Sequence, residues 1–296
     1  MPDSAAVPRW FSSALAAPVE QFTTKVGGCV ISFRCWGPPG SAGIVLVHGG
    51  AAHARWWDHI GPMLGPQYRV AALDLSGHGD SGRRETYSLD NWAEEVLAVG
   101  NAARMAANPL VIGHSMGGYV ALTTAARHPR EISGVAALDS PVREQTPEET
   151  AAAERTAFGP LRVYPDRDEA LGRFRTIPAQ DGCLPYIMEH VAQTSLRQAG
   201  DGWTWKFDPR IFGRLRPGTA MLRSVTARVA LFRSEFGLVT PEIGAQMYDL
   251  LGRVAPVIEI PAAGHHMMLD QPLSLITGLR TLLADWQHSA PHQRWD

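Results

Sequence analysis

The feature that most limits what this chain can fold into is an alternation of short apolar runs with longer amphipathic stretches. The runs are GIVLVHGG from Gly43, RVAALDLSGHGDSG from Arg69, NPLVIGHSMGG from Asn108, GVAALDSP from Gly134, ARVALFRSE from Ala227 and APVIEIPAAGHH from Ala255. Continuous apolar runs of four to seven residues read as strands covered on both faces, and parallel strands need long, usually helical, crossovers. The pattern therefore predicts an α/β fold with a mostly parallel sheet. Helices are expected over SLDNWAEEVLAVGNAARMA, with Ser88 or Asp90 near its cap, over the Ala-rich stretch ending at His128, over PEIGAQMYDLLG, and from about Pro272 to Gln287. Ahead of the first buried run, VGGCVISFRCWG from Val26 alternates like an edge strand, and the residues before it read as irregular.

From Pro141 to about Leu222 the alternation stops. That segment is Pro-interrupted and Arg-rich, with patches of helical pattern such as SPVREQTPEETAAAER. It reads as an insertion, which divides the chain into a core of residues 1–140 and 223–296 and an inserted unit of 141–222.

Composition narrows the function classes. With 296 residues, 45% of them hydrophobic, the chain can bury a core without crosslinks. Lys and Arg number 27 against 29 Asp and Glu, a net charge of −2, which argues against nucleic-acid and polybasic membrane partners. Cys29 and Cys35 would stand about 20 Å apart on one extended strand, and with Cys183 they form no C-x-x-C spacing. No disulfide, metal or cofactor is expected. The N-terminus lacks the basic region and apolar run of a secretory signal, and no apolar stretch approaches the roughly 18 residues of a membrane span. A cytoplasmic protein acting on a small molecule is expected, with its oligomeric state, monomer or dimer, open.

The chemistry is concentrated in G-x-S-x-G at Gly113, Ser115 and Gly117, preceded by a strand pattern and followed by a helix pattern. That context is a nucleophile elbow: small flanking residues permit a strained turn that projects the serine hydroxyl from the sheet edge.

Four motifs in order, HGG at His48 to Gly50, GHGDS at Gly77 to Ser81, GHSMGG at Gly113 to Gly118 and GHHMMLDQP from Gly264, make the chain resemble the α/β-hydrolase family from Val26 to Trp286. The resemblance implies a doubly wound, eight-stranded sheet with a helical lid at 141–222. It implies Ser115 as nucleophile, His265 as base from its seven-residue spacing to Pro272, and the backbone N–H groups of Gly50 and Met116 as oxyanion donors. The acid departs from the pattern. Relatives carry an Asp after the seventh strand, yet residues 228–248 contain none, and Glu235 is the only carboxylate near that strand end. Asp139, at the tip of the sixth strand, is the preferred candidate, and Glu235 is the alternative.

His53, Trp57, His114, His266 and Met267 are expected around the substrate, with Trp56 beside them. In the insertion, Arg162, Arg167, Arg173 and Arg175 read as a solvated face paired with Asp166, Asp168 and Glu169 in preference to a carboxylate clamp. A Ser nucleophile in place of Asp argues against epoxide opening and dehalogenation. Acyl chemistry on an ester, a lactone or a carbonyl-adjacent carbon–carbon bond is left. A receptor-like ligand binder and a thioesterase or cyclase are the other readings.

Overall fold

The computed structural model describes residues 7–144, 146, 148, 161–212 and 217–289. Eight strands form one sheet: β1 (Glu20–Val26), β2 (Cys29–Trp36), β3 (Ala42–Val47), β4 (Tyr68–Leu73), β5 (Leu110–His114), β6 (Gly134–Leu138), β9 (Val229–Phe236) and β10 (Val257–Gly264). Their order is β1-β2-β4-β3-β5-β6-β9-β10, antiparallel at β1/β2 and β2/β4 and parallel elsewhere. The fold is a doubly wound, mostly parallel α/β sheet.

The apolar runs become strands because both faces are covered, and period two divides each run between two cores. Val45, Val47, Ala71, Leu73, Val111, Val135 and Ala137 face the helices Leu89–Ala102 and Met116–Arg127. Their neighbours Ile44, Leu46, Val70, Ala72, Ile112, Ala136 and Leu138 face Trp57 and the helix Pro272–His288, through Leu275, Leu279 and Leu282. Ser88 caps the helix Leu89–Ala102 by accepting from Asn91 N.

The edge strand differs from expectation. β1 occupies the edge, where the sequence reads as irregular, and VGGCVISFRCWG supplies the second strand, β2. Only Phe22, Thr24 and Val26 of β1 are half-buried, with Phe22 stacked on Phe33, so its apolar signal is one aromatic and one valine. The three cysteines are free thiols.

Between β6 and β9 the described residues form the helices Arg167–Gly172 and Pro185–Thr194, a separate hairpin of β7 (Leu196–Ala199) and β8 (Gly202–Trp205), and short turns to Arg223. Most of the helical pattern in SPVREQTPEETAAAER lies outside the described residues. The segment is strapped to the core by backbone bonds, Gly79 N to Lys206 O (2.7 Å), Asp208 N to Gly77 O (2.7 Å) and Leu184 N to Leu269 O (2.8 Å). Among the described residues no helix is long and apolar enough to cross a membrane.

Candidate active site

β5 ends at His114 and the helix begins at Met116, so the whole reversal falls on Ser115. Its φ of 54° and ψ of −119° lie where a side chain is strained. Close packing holds the turn. A methyl on Gly113 would overlap Gly117 O, and one on Gly117 would stand 2.5 Å from His48 O. Both contacts are to backbone that cannot swing aside. Gly117→Ala should therefore lose about 3 kcal/mol of stability by overpacking, read as a lower urea midpoint at unchanged slope; a midpoint equal to that of the parent would contradict this packing.

Three side chains from three strand ends meet at Ser115. His265 follows β10, and its Nε2 lies 3.0 Å from Ser115 Oγ. Its Nδ1 lies 2.7 Å from Asp139 Oδ2. Since Asp139 can only accept, Nδ1 carries the proton and Nε2 accepts from the serine hydroxyl. Asp139 is wholly buried just beyond β6 with a φ of 44°. The loop after β9 cradles its carboxylate: Leu238 N donates to Oδ2 at 2.7 Å and Val239 N to Oδ1 at 3.0 Å. That loop, which lacks an Asp of its own, supplies N–H donors to the carboxylate of the neighbouring strand. A side chain at Gly237 would collide with Asp139.

Glu235 does not join this group. It is exposed, and its Oε2 accepts from Ala262 N at 2.7 Å, steadying the positive-φ bulge of β10. As the alternative acid it is corrected by geometry: His265 Nδ1 is taken by Asp139.

The histidine loop is braced from several sides. Asp270 accepts from Gly264 N (2.6 Å) and from Gln180 Nε2 (2.7 Å), and Gln180 Oε1 accepts from His266 N (2.6 Å). Sequence reasoning missed Gln180, since nothing local in the insertion marks it as a partner of the β10 loop.

Ser115 opens into a cavity of about 350 Å³ lined by Gly49 to Ala52, Trp56, His114 and His266 from the core. Leu161, Tyr164, Phe174, Ile177, Trp205 and Phe207 line it from the insertion. Gly50 is therefore on the wall, and Met116 opens the helix, where its N–H has no intrahelical acceptor. Two expected wall residues are core instead: Trp57 and Met267 are 1% and 0% exposed, and Trp56 takes the position expected of Trp57.

His53 stands one step behind the wall. Its Nε2 lies 2.9 Å from Ser195 Oγ, whose own proton goes to Val191 O at 2.7 Å. The imidazole is therefore the donor, and this second histidine–serine pair cannot activate its hydroxyl. The arginines divide. Arg167 stacks on Trp203 and Arg162 pairs with Glu169 at 3.5 Å, while Arg162, Arg173 and Arg175 also border the cavity.

Burial governs the remaining histidines. It lowers His48 to about 4 and His266 to about 3, the latter helped by the adjacent His265 ring, and it holds His53, His78 and His114 well below 6.5. Nitrogens of His114, His265 and His266 lie within 4.8 Å of one another, the one grouping among the described residues that could hold a metal ion. The end of β5 and the loop after β10 supply the three rings, so no sequence spacing announces them.

Comparison with known proteins agrees with this architecture. Residues 44–276 match the sequence profile described as the Alpha/beta hydrolase family. An esterase of Mycobacterium tuberculosis is 28% identical over 276 residues, covering 90% of each chain. The 2-succinyl-6-hydroxy-2,4-cyclohexadiene-1-carboxylate synthase of an Enterobacter species is 25% identical, over 83% of this chain and 93% of its own. The solved structure of an E-2-(acetamidomethylene)succinate hydrolase superposes with a TM-score of 0.75 at 20% identity, over 90% of this chain and 100% of its own, which speaks for the fold alone. With most of the chain matched to that profile and the eight-stranded sheet in place, the protein belongs to the α/β hydrolase family.

Proposed function

We propose that the protein is a serine hydrolase of carboxylic esters, with Ser115 as nucleophile, His265 as general base and Asp139 as the acid that orients it. The observation that carries this reading is the continuous relay from Ser115 Oγ through His265 to Asp139, at 3.0 and 2.7 Å, opening into the cavity. The full-length similarity to an esterase supports the substrate class. The receptor-like reading rests on the absence of an Asp after β9, and the contact of Asp139 with His265 weighs in favour of the hydrolase.

Ser115 Oγ attacks the ester carbonyl carbon while its proton passes to His265 Nε2, and Asp139 stabilises the imidazolium through the Nδ1 bond. The oxyanion lies between the N–H groups of Gly50 and Met116. His265 returns the proton to the leaving alkoxide, giving an acyl-enzyme and an alcohol. Water then gives its proton to His265 and its oxygen to the acyl carbon, releasing the acid. The described part of residues 141–222 acts as the lid: its Leu161, Tyr164, Phe174 and Trp205 present an apolar wall to the acyl group. Lactones and carbon–carbon bonds beside a ketone fit the same relay.

Turnover of p-nitrophenyl butyrate is the test. The expected result is steady hydrolysis that Ser115→Ala abolishes. Absence of turnover across acetyl, butyryl and octanoyl esters in a cooperatively folded protein would remove the ester reading.

A further inference from the structure

The backbone that carries the base is held on both sides by one carboxamide from the insertion. His266 N can only donate, so Gln180 turns Oε1 toward it, at 2.6 Å, and Nε2 toward Asp270 Oδ2, at 2.7 Å. The same Asp270 oxygen accepts from Gly264 N at 2.6 Å. The N–H groups before and after His265 are thus joined through a single Asp270–Gln180 bridge, while the His265 carbonyl accepts from His114 Nε2 at 2.8 Å. Two further bonds seat the segment: His266 Nε2 donates to Pro178 O at 3.2 Å, and Leu184 N to Leu269 O at 2.8 Å. Just upstream, Phe174, Thr176 and Ile177 line the cavity. One continuous stretch of the insertion, 174–184, therefore meets the substrate space at one end and the base loop at the other.

We propose that Gln180 is a positioning residue through which the lid sets the catalytic base: its carboxamide holds His265 in register with Ser115, and proton transfer is efficient only while residues 174–184 are seated. The kinetic consequences rest on the esterase reading. Three features favour this role. The bridge spans the base itself, so its loss frees the peptide N–H groups on either side of His265. The imidazole has little latitude: Nε2 lies 3.0 Å from Ser115 Oγ and Nδ1 2.7 Å from Asp139, and a shift of the ring toward one partner lengthens the other contact. Position 264 is fitted to the bridge, since a methyl there would stand 2.5 Å from Gln180 Cδ, and glycine is what admits the carboxamide.

Gln180 touches neither the reacting serine nor the substrate space, so it acts through His265. Misplacing a reacting group by about 1 Å can cost about a hundredfold in rate. A substrate packed against Phe174 and Ile177 presses on the stretch that carries Gln180, which links the fit of the acyl group to the position of the base.

Gln180→Ala, Gly264→Ala and the double variant of the full chain test this. Rates with p-nitrophenyl butyrate are expressed per site titrated with a fluorophosphonate, so that loss of folded protein does not count as loss of rate. Gln180→Ala should lower kcat about ten- to hundredfold, with KM within about twofold of the parent. Gly264→Ala expels the carboxamide from the core side and should lower kcat similarly. The double variant should be no slower than the slower single one, because both remove the same contact. A spectroscopic readout needs no turnover: the far-downfield NMR signal of the His265 Nδ1 proton, identified by its absence in Asp139→Asn, should be sharp in the parent and broadened or lost in Gln180→Ala. An unchanged kcat or an unchanged resonance in Gln180→Ala, or losses that multiply in the double variant, would overturn the proposal. Should Gln180→Ala fold poorly, Gln180→Met, which fills similar volume without the amide, takes its place with the same expectations. If the parent hydrolyses no ester, the resonance decides, so failure of the esterase reading is told apart from failure of this one.

Discussion

Replacing Asp139 with Asn is expected to lower kcat by about three to four orders of magnitude, while Glu235→Gln leaves it within about twofold. The substituted side chain would present either an amide oxygen or an amide N–H₂ to His265. Leu238 N and Val239 N donate to the present carboxylate and would hold the oxygen on their side. The amide nitrogen would then face His265 Nδ1 and force that atom to become the acceptor. Nε2 would carry the proton and could no longer take one from Ser115 Oγ, which lies 3.0 Å away. The loss should appear in kcat more than in KM, because the substrate never touches Asp139. Glu235 is tied to Ala262 N on the exposed end of β9 and has no route to the imidazole. A large effect at Glu235 with none at Asp139 would contradict the assignment.

Acidification from pH 6.5 toward 4 is expected to unfold the protein, with the transition above pH 4. His48 and His59 are fully buried, and burial lowers both to about 4. In the unfolded chain an imidazole titrates near 6.5. The unfolded state therefore binds protons first as pH falls, so the stability these residues contribute is complete above pH 6.5 and is lost toward pH 4. Each accounts for about 3 kcal/mol at 1.36 kcal/mol per pH unit, and two together are comparable with the roughly 5–15 kcal/mol that holds a typical domain folded. His53, His78, His114 and His266 shift in the same direction. Asp74, raised to about 6 by burial, acts in the opposite sense, since the folded state takes up its proton first, and it offsets only part of the loss. Urea unfolding at pH 7.5, 6 and 5 checks this. The midpoint should fall steeply below pH 6.5, and a flat profile to pH 4.5 would contradict it.

What was legible in the sequence follows from how local each determinant is. The parallel strands could be read because a doubly covered strand is buried at every position and so apolar at nearly all of them, as β4, β5 and β6 are, with Arg69 and His114 the exceptions. β1 could not, because an edge strand exposed on alternate positions carries too few apolar residues to register. The elbow was legible because its strain demands Gly113 and Gly117 within five residues of one another. The choice between Asp139 and Glu235 was not. It depends on Gly237, Leu238 and Val239 wrapping a carboxylate about a hundred residues upstream, and no spacing rule carries that distance. Trp56 and Trp57 show the same limit, since adjacent tryptophans in a short turn face opposite ways and only packing decides which meets the cavity.

Covalent labelling with a fluorophosphonate, read by peptide mass spectrometry, tests whether Ser115 is the nucleophile. The relay predicts a single adduct on Ser115, absent in Ser115→Ala and slowed by orders of magnitude in Asp139→Asn. No adduct in a folded protein, or an adduct on Ser195 in place of Ser115, would contradict it.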